Sequence, residues 1–206
     1  MPKNEQLMRI NLNTPVGRLS YPHLFVAQEN DQGDARFKTA IFFAEGTDLT
    51  EMQAAALKVA KARWGDEVVK LIRAGKVRWP FRNEAEDVKA RGYPKGSTFV
   101  NMSAKNRPGV VDANVADVLD PSDAYAGRDC LINATAYTYD VSGNRGVTFG
   151  VNHVQILGDN DRLDGRKAAA EVFVAVEGVI ADASAFEEGE PVSVTADDED
   201  ITDLVG

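Results

Sequence analysis

The segment 129-DCLINATAYTYDVSGNRGVTFGVNHVQIL-157 reads as one long β-hairpin. Strand side chains alternate between two faces. Leu131, Asn133, Thr135, Tyr137 and Tyr139 therefore share one face, and Ile132, Ala134, Ala136 and Thr138 share the other. "SGNRG" (142–146) supplies the glycines and asparagine of a tight or slightly extended turn. Two readings stand for Tyr137 and Tyr139: core packing of one of them, or exposure toward the hairpin tip. Arg145, at that tip, reads as a surface cation.

Other strands lie upstream. "GRLSYPHLFVA" (17–27) is a strand candidate in which Pro22 suggests an edge or a bend. "ARFKTAIFFA" (35–44) alternates, with Phe37, Thr39, Ile41 and Phe43 facing a core. Arg36, Lys38, Ala40 and Phe42 face the other way. "NDQGD" (30–34) joins the two as a hairpin loop. Shorter strands are expected at 97–104 and near 109–113, and 168–176 reads as a last helix or strand.

Between the strands the period changes. "TDLTEMQAAALKVAKARWG" (47–65) reads as a helix with Asp48 as N-cap, Glu51 completing a capping box and Gly65 as the stop. Leu49, Met52, Ala56, Val59, Ala60 and Arg63 follow its spacing, and a second short helix is expected over 67–75. A Pro- and Gly-rich loop follows. Strands, an inserted helix and more strands predict a small closed or partly open barrel, which buries five or six strands without long edges.

Charge is unevenly placed. The chain has 23 Lys+Arg and 32 Asp+Glu, a net of −9 over 206 residues. Residues 182–206 hold nine carboxylates and no Lys or Arg, which accounts for the whole excess. Residues 61–107 hold 12 basic and 5 acidic residues. A basic middle and an acidic end are incompatible with the uniform repulsion that a pI near 4.8 would otherwise imply toward nucleic acid. The single Cys130 excludes an internal disulfide framework. With no signal peptide at the start of the sequence and no run of ~18–20 apolar residues, an intracellular protein without a membrane partner is expected.

Catalytic motifs are thin. His23 and His153 have no ligand-spaced neighbours, and there is no nucleophile elbow, Walker A sequence or GxGxxG. "DNDRLDG" (159–165) fails the calcium-loop pattern, since its glycine is at position seven and Leu163 at position five. No enzyme activity, cofactor or metal is expected; a hydrolase with an unrecognised site is the weakest reading.

Cations interleaved with aromatics carry the positive signal. Arg78-Trp79-Pro80-Phe81-Arg82 and Arg91-Gly92-Tyr93-Pro94-Lys95 combine groups that track phosphates with rings that stack on unpaired bases. Core packing is the competing reading for Trp79, Phe81 and Tyr93, and the favoured one for Phe99.

In order along the chain, "GRLSYPHLF", "ARFKTAIFF", "WPFRNEAEDVKARGYPKGSTFVNMSAKNRPGVVD", "AYAGRDCLINATAYTYD" and "GNRGVTFGVNHVQIL" resemble the phage single-stranded DNA-binding proteins long catalogued as a domain of unknown function. The resemblance covers roughly residues 16–173. It implies a mainly β (β+α), OB-fold-like barrel of five to six strands with a helical insertion and a long hairpin. It also implies non-sequence-specific binding of single-stranded DNA in phage DNA replication, recombination and repair, in the cytoplasm of an infected bacterial cell.

The expected division is an N-terminal arm at 1–15, a binding domain at 16–181 with its insertion at 47–95, and a flexible acidic tail at 182–206. Expected DNA-binding residues are Arg36, Lys38, Arg78, Trp79, Phe81, Arg82, Tyr93, Lys95, Lys105, Arg107, Tyr137, Tyr139 and Arg145. Such proteins commonly carry an acidic tail, which implies a competitor for the basic groove that recruits replication or recombination proteins once displaced. Asp197, Asp198, Glu199, Asp200, Asp203 and Leu204 would make that contact. Tails in this functional class often end in an aromatic, whereas this one ends Leu204-Val205-Gly206. A recombination or polymerase adaptor working mainly through the tail is the alternative. A homodimer or a cooperative assembly on the strand is compatible with either reading.

Overall fold

The computed structural model describes residues 7–29, 33–83, 93–163 and 172–173. The acidic tail, with the six residues assigned to it, lies outside these. So do residues 30–32 of the expected hairpin loop and most of 168–176. Two units divide the chain, Met1–Lys167 and Ala168–Gly206. Of the second, Val172 and Phe173 are described, and both are exposed.

The first unit is mainly β. In chain order its elements are β1 (Ile10–Asn13), β2 (Gly17–Glu29), β3 (Ala35–Phe43), α1 (Thr50–Trp64), α2 (Val68–Arg73), β4 (Phe81–Asn83), β5 (Thr98–Ala104), β6 (Gly109–Val111), β7 (Asp129–Val141) and β8 (Asn144–Gly158). Strand pairing closes on itself: β7–β2–β3–β5–β8 and back to β7. This ring of five strands is the OB-fold-like barrel, with β1, β4 and β6 attached outside it.

The hairpin β7–β8 is the frame. It pairs from Asp129↔Gly158 to Val141↔Asn144, with register shifts at Asp129/Cys130 and Asn133/Ala134 that let long strands curve. Ile132, Ala134, Ala136 and Thr138 point inward and are buried. The opposite edge of β7 is shared. β2 pairs with its start at Gly17↔Cys130, and β1 pairs further along at Ile10↔Ala136 and Leu12↔Ala134. Residues 10–13, read from the sequence as part of an arm, are thus a strand of the sheet. Thr14 bridges the gap: its N–H donates to the Ile132 carbonyl at 2.9 Å, and its Oγ1 accepts from the Ile132 N–H at 3.0 Å.

β2 then crosses from β7 to β3. Its pairing with β3 shifts register between Ser20 and His23, at Tyr21-Pro22, where the bend suggested by the proline occurs. Gly17 sits where β2 lies close against β3. A Cβ there would lie 2.7 Å from Ile41 Cγ1, 2.8 Å from the Phe42 carbonyl oxygen and 2.9 Å from Phe43 Cδ1. Backbone cannot yield as a flexible side chain can. Gly17→Ala is therefore expected to cost about 1–3 kcal/mol, the range for overpacking, measured as a shift in urea midpoint at constant slope.

The helices fill the core from between β3 and β5. Met52, Ala55, Ala56, Val59 and Ala60 of α1 are buried, and the helix packs on β7, β8 and β1. Arg63, placed on that stripe by spacing, is instead exposed in the last turn, where a cation suits the helix dipole. Leu49, not Asp48, occupies the N-cap and makes no side-chain cap bond. Asp48 acts one residue outside: its Oδ1 accepts from the Thr50 N–H at 2.9 Å, and hydrogen bonds from Thr50 hold its carboxyl below the usual range. Gly65 ends the helix at φ 76°, with its N–H on the Lys61 carbonyl. Cys130 is fully buried; that burial, with the Asp129 charge a lesser cause, pushes its thiol up to about 12. It is a core residue, not a nucleophile.

Candidate nucleic-acid interface

Alternation puts a second set of side chains on the outside of the barrel. On β3 these are Arg36, Lys38, Ala40 and Phe42; on β5, Phe99, Asn101 and Ser103, in register as Lys38↔Ser103, Ala40↔Asn101 and Phe42↔Phe99. The outer face of β8 carries Thr148, Gly150 and Asn152, beside Thr135, Tyr137 and Tyr139 of β7. Neither tyrosine enters the core; both are half-buried on this face.

Glycines opposite the two rings make room for them. A Cβ on Gly150 would lie 3.3 Å from Tyr137 Cε1, and one on Gly146 would lie 2.7 Å from the Tyr139 hydroxyl. Tyr137 also lies under the Arg9 guanidinium, 5.4 Å from its ring centre.

Three hollows run along the face. The largest, about 770 Å³, is lined by Lys38, Arg82, Tyr21, His23, Tyr93, Asn101, Ser103 and Thr148 among others. A second, about 570 Å³, holds Arg9, Arg36, Lys105, Arg107, Tyr137, Asn152 and His153. A cleft of about 90 Å³ holds Arg78, Trp79, Arg82 and Tyr139. The first shares Ser103 with the second and Arg82, Asn101 and Thr148 with the cleft, so the three adjoin. Among the described residues, seven cations line them and no Asp or Glu does. Arg36 pairs with Asp34 at 3.1 Å.

Ten of the expected residues line these hollows: Arg36, Lys38, Arg78, Trp79, Arg82, Tyr93, Lys105, Arg107, Tyr137 and Tyr139. Arg78 and Trp79 are delivered by a clip onto the hairpin. The Arg78 N–H donates to the Arg145 carbonyl and the Val147 N–H donates to the Arg78 carbonyl, each at 3.0 Å. Arg145 lines none of the hollows. Its Nε donates to the Lys76 carbonyl at 3.0 Å, so it braces that clip.

Phe81 also lines none. It packs on the core, edge-on to Phe149 at 5.8 Å, because β4 pairs with β5 and turns the ring inward. Lys95 is exposed in the turn before β5, outside the hollows. Tyr93 does line the largest hollow, but one face of its ring is already used: it stacks on Phe42 at 4.6 Å, and its hydroxyl is 2.6 Å from Ser20 Oγ. With Phe99 and Leu163 they form a small apolar cluster outside the barrel, which is why Phe42 is buried despite facing away from the main core.

Residues the sequence did not single out complete the face. Arg9 arrives with β1, and Tyr21 and His23 with the β2 bulge. Asn152 donates to Asn133 Oδ1 at 3.0 Å and to Thr135 Oγ1 at 2.9 Å, and Thr135 Oγ1 donates to Asn11 Oδ1 at 2.6 Å. That polar ladder fixes the outer faces of β1, β7 and β8 against one another. The alternation of β7 was the one local signal for it. No group of His, Cys, Asp and Glu among the described residues could hold a metal ion, and no described helix is long and apolar enough to cross a membrane.

The family model described as "Enterobacter phage Enc34, ssDNA-binding protein" matches residues 8–184. Among solved structures, the single-stranded DNA-binding protein from bacteriophage Enc34 is similar at TM-score 0.59 and 12% identity, covering 79% of this chain and 89% of that one. The same phage protein in complex with ssDNA is similar at TM-score 0.58 and 13% identity, covering 74% and 88%. The single-stranded DNA-binding protein gp2.5 encoded by bacteriophage T7 is similar at TM-score 0.52 and 13% identity, covering 82% and 100%. At such identities the structural likenesses establish the fold. No curated protein matches the chain.

Proposed function

This chain belongs to the family of the Enterobacter phage Enc34 ssDNA-binding protein, and from that premise we propose that it binds single-stranded DNA without sequence selection along the outer face of β3, β5, β8 and β7. The observation that carries this is the line of adjoining hollows with seven cations and no carboxylate among the described residues. A strand needs phosphate neutralisation along its length and flat rings for its bases. Lys38, Arg78, Arg82, Lys105 and Arg107 serve the first need; Tyr137, Tyr139 and Trp79 serve the second. Stacking accepts any base, since each has a π-face. A duplex hides its base faces and gains only from the cations.

On this reading the domain over 16–181 coats and protects single strands exposed in phage replication, recombination and repair, in the host cytoplasm. The tail over 182–206, with nine carboxylates and no cation, competes for the same face. Displaced by DNA, it is free for replication or recombination proteins. The test is fluorescence anisotropy with labelled poly-dT against a duplex of equal length, for the full chain and a 1–181 truncation. Preference for the single strand, with tighter binding by the truncation, is the expected outcome. Equal affinity for the duplex would overturn the reading. Unchanged DNA affinity with loss of partner capture on truncation would favour the adaptor reading.

A further inference from the structure

Resting on that reading, we propose that the strand path does not end at the barrel face: it bends over the Tyr21-Pro22-His23 bulge into a further hollow, which takes one more unstacked nucleobase and its phosphate. This hollow has a volume of about 370 Å³ and adjoins the largest one, with which it shares Tyr21, His23 and Tyr93. Its far side is formed by Tyr125, Arg162 and Leu163, and no carboxylate among the described residues lines it. Aromatic walls with one cation are what a base and its phosphate require.

The bulge holds an aromatic residue in an uncommon backbone conformation. Tyr21 has φ 45° and its residue is 57% exposed. An aromatic residue in the left-handed region is disfavoured, and glycine would hold the same turn without the penalty. Such strain, retained at an exposed ring, points to use of that ring. The register shift between Ser20 and His23 lifts it off the sheet at the junction of the two hollows. Its neighbours are fixed in advance. Tyr93 is held by Phe42 and Ser20, as described above. The Arg162 guanidinium lies 4.2 Å from the ring centre of Tyr125, whose hydroxyl donates to the Asn160 carbonyl at 3.1 Å. A cation already placed over a ring loses little freedom when a phosphate arrives.

Tyr21→Gly is the decisive variant, because it removes the ring while relieving the backbone. It is expected to bind long single strands about five- to 150-fold more weakly, the range for one lost stacking contact, at a temperature well below its own Tm. Arg162→Gln, which keeps length and polarity, is measured beside it. Both are titrated by anisotropy with dT oligonucleotides of about 4 to 16 nucleotides, the span of site sizes for such folds. The wild type should gain affinity in a last step as length grows, and both variants should lose that step. The shortest strands should bind Arg162→Gln as they bind the wild type. Wild-type affinities for both variants at every length would overturn the proposal. So would an equal loss for Tyr21→Gly at every length with none for Arg162→Gln, since Tyr21 would then serve the first hollow alone. Failure of the wild type to bind any length would overturn the proposed function, and this extension with it.

Discussion

Raising salt from about 50 to about 200 mM is expected to weaken single-strand binding by a few hundred- to a thousandfold. Each phosphate neutralised on a single strand contributes about −0.7 to the slope of log K against log salt. Arg9, Arg36, Lys38, Arg78, Arg82, Lys105 and Arg107 line the face. All seven engaged would give a slope near −5; without Arg36, which is shared with Asp34, it would be near −4. Anisotropy titrations at four or five salt concentrations measure it. Lys38→Gln with Lys105→Gln should make the slope shallower by about 1.4, at every base composition. A wild-type slope shallower than about −2 would mean that these cations do not meet phosphates.

Phe149→Ala is expected to lose about 3–5 kcal/mol of stability, the cost of emptying a large core site. The ring is fully buried, in the strand that closes the barrel between β5 and β7, and it is the surface against which Phe81 turns its edge. In a chain of this size that loss lowers Tm by roughly 6–20 °C. Thr148 and Gly150, its immediate neighbours, face outward into the hollows. Binding should therefore fall as the outer face loses its backing. Calorimetry and a binding titration on one preparation test both effects. A drop in Tm under about 2 °C would show that the barrel closes without this ring.

Legibility followed the length of each pattern. The thirteen-residue β7 and fifteen-residue β8 carry their alternation openly, and the structure pairs them over their whole length. The helix 50–64 was legible from its spacing and its glycine stop. β1 has four residues and β4 three, too short to show a period, and each exists because a distant strand offers it an edge. Ile10 pairs with Ala136 and Phe81 with Val100, choices that no local window contains.

The basic-aromatic composition of the site was legible; the fate of each ring was not. Trp79, Phe81 and Tyr93 sit in one Pro- and Gly-rich stretch with much the same neighbours. Tertiary packing separates them: Phe81 against Phe149, Tyr93 onto Phe42, Trp79 half on the core and half in the cleft. Arg145 looked like a free surface cation until the Lys76 carbonyl claimed it.

By itself, the sequence determined the quantities that are additive or periodic: where charge accumulates, which residues alternate, where helices stop. Those depend on near neighbours and on counting. Only the tertiary structure decided which face of β7 became groove and which became core, because ring closure joins residues more than a hundred positions apart, such as Gly17 and Cys130. A side chain's exposure is a property of what packs against it, and at this site those partners come from the far ends of the chain.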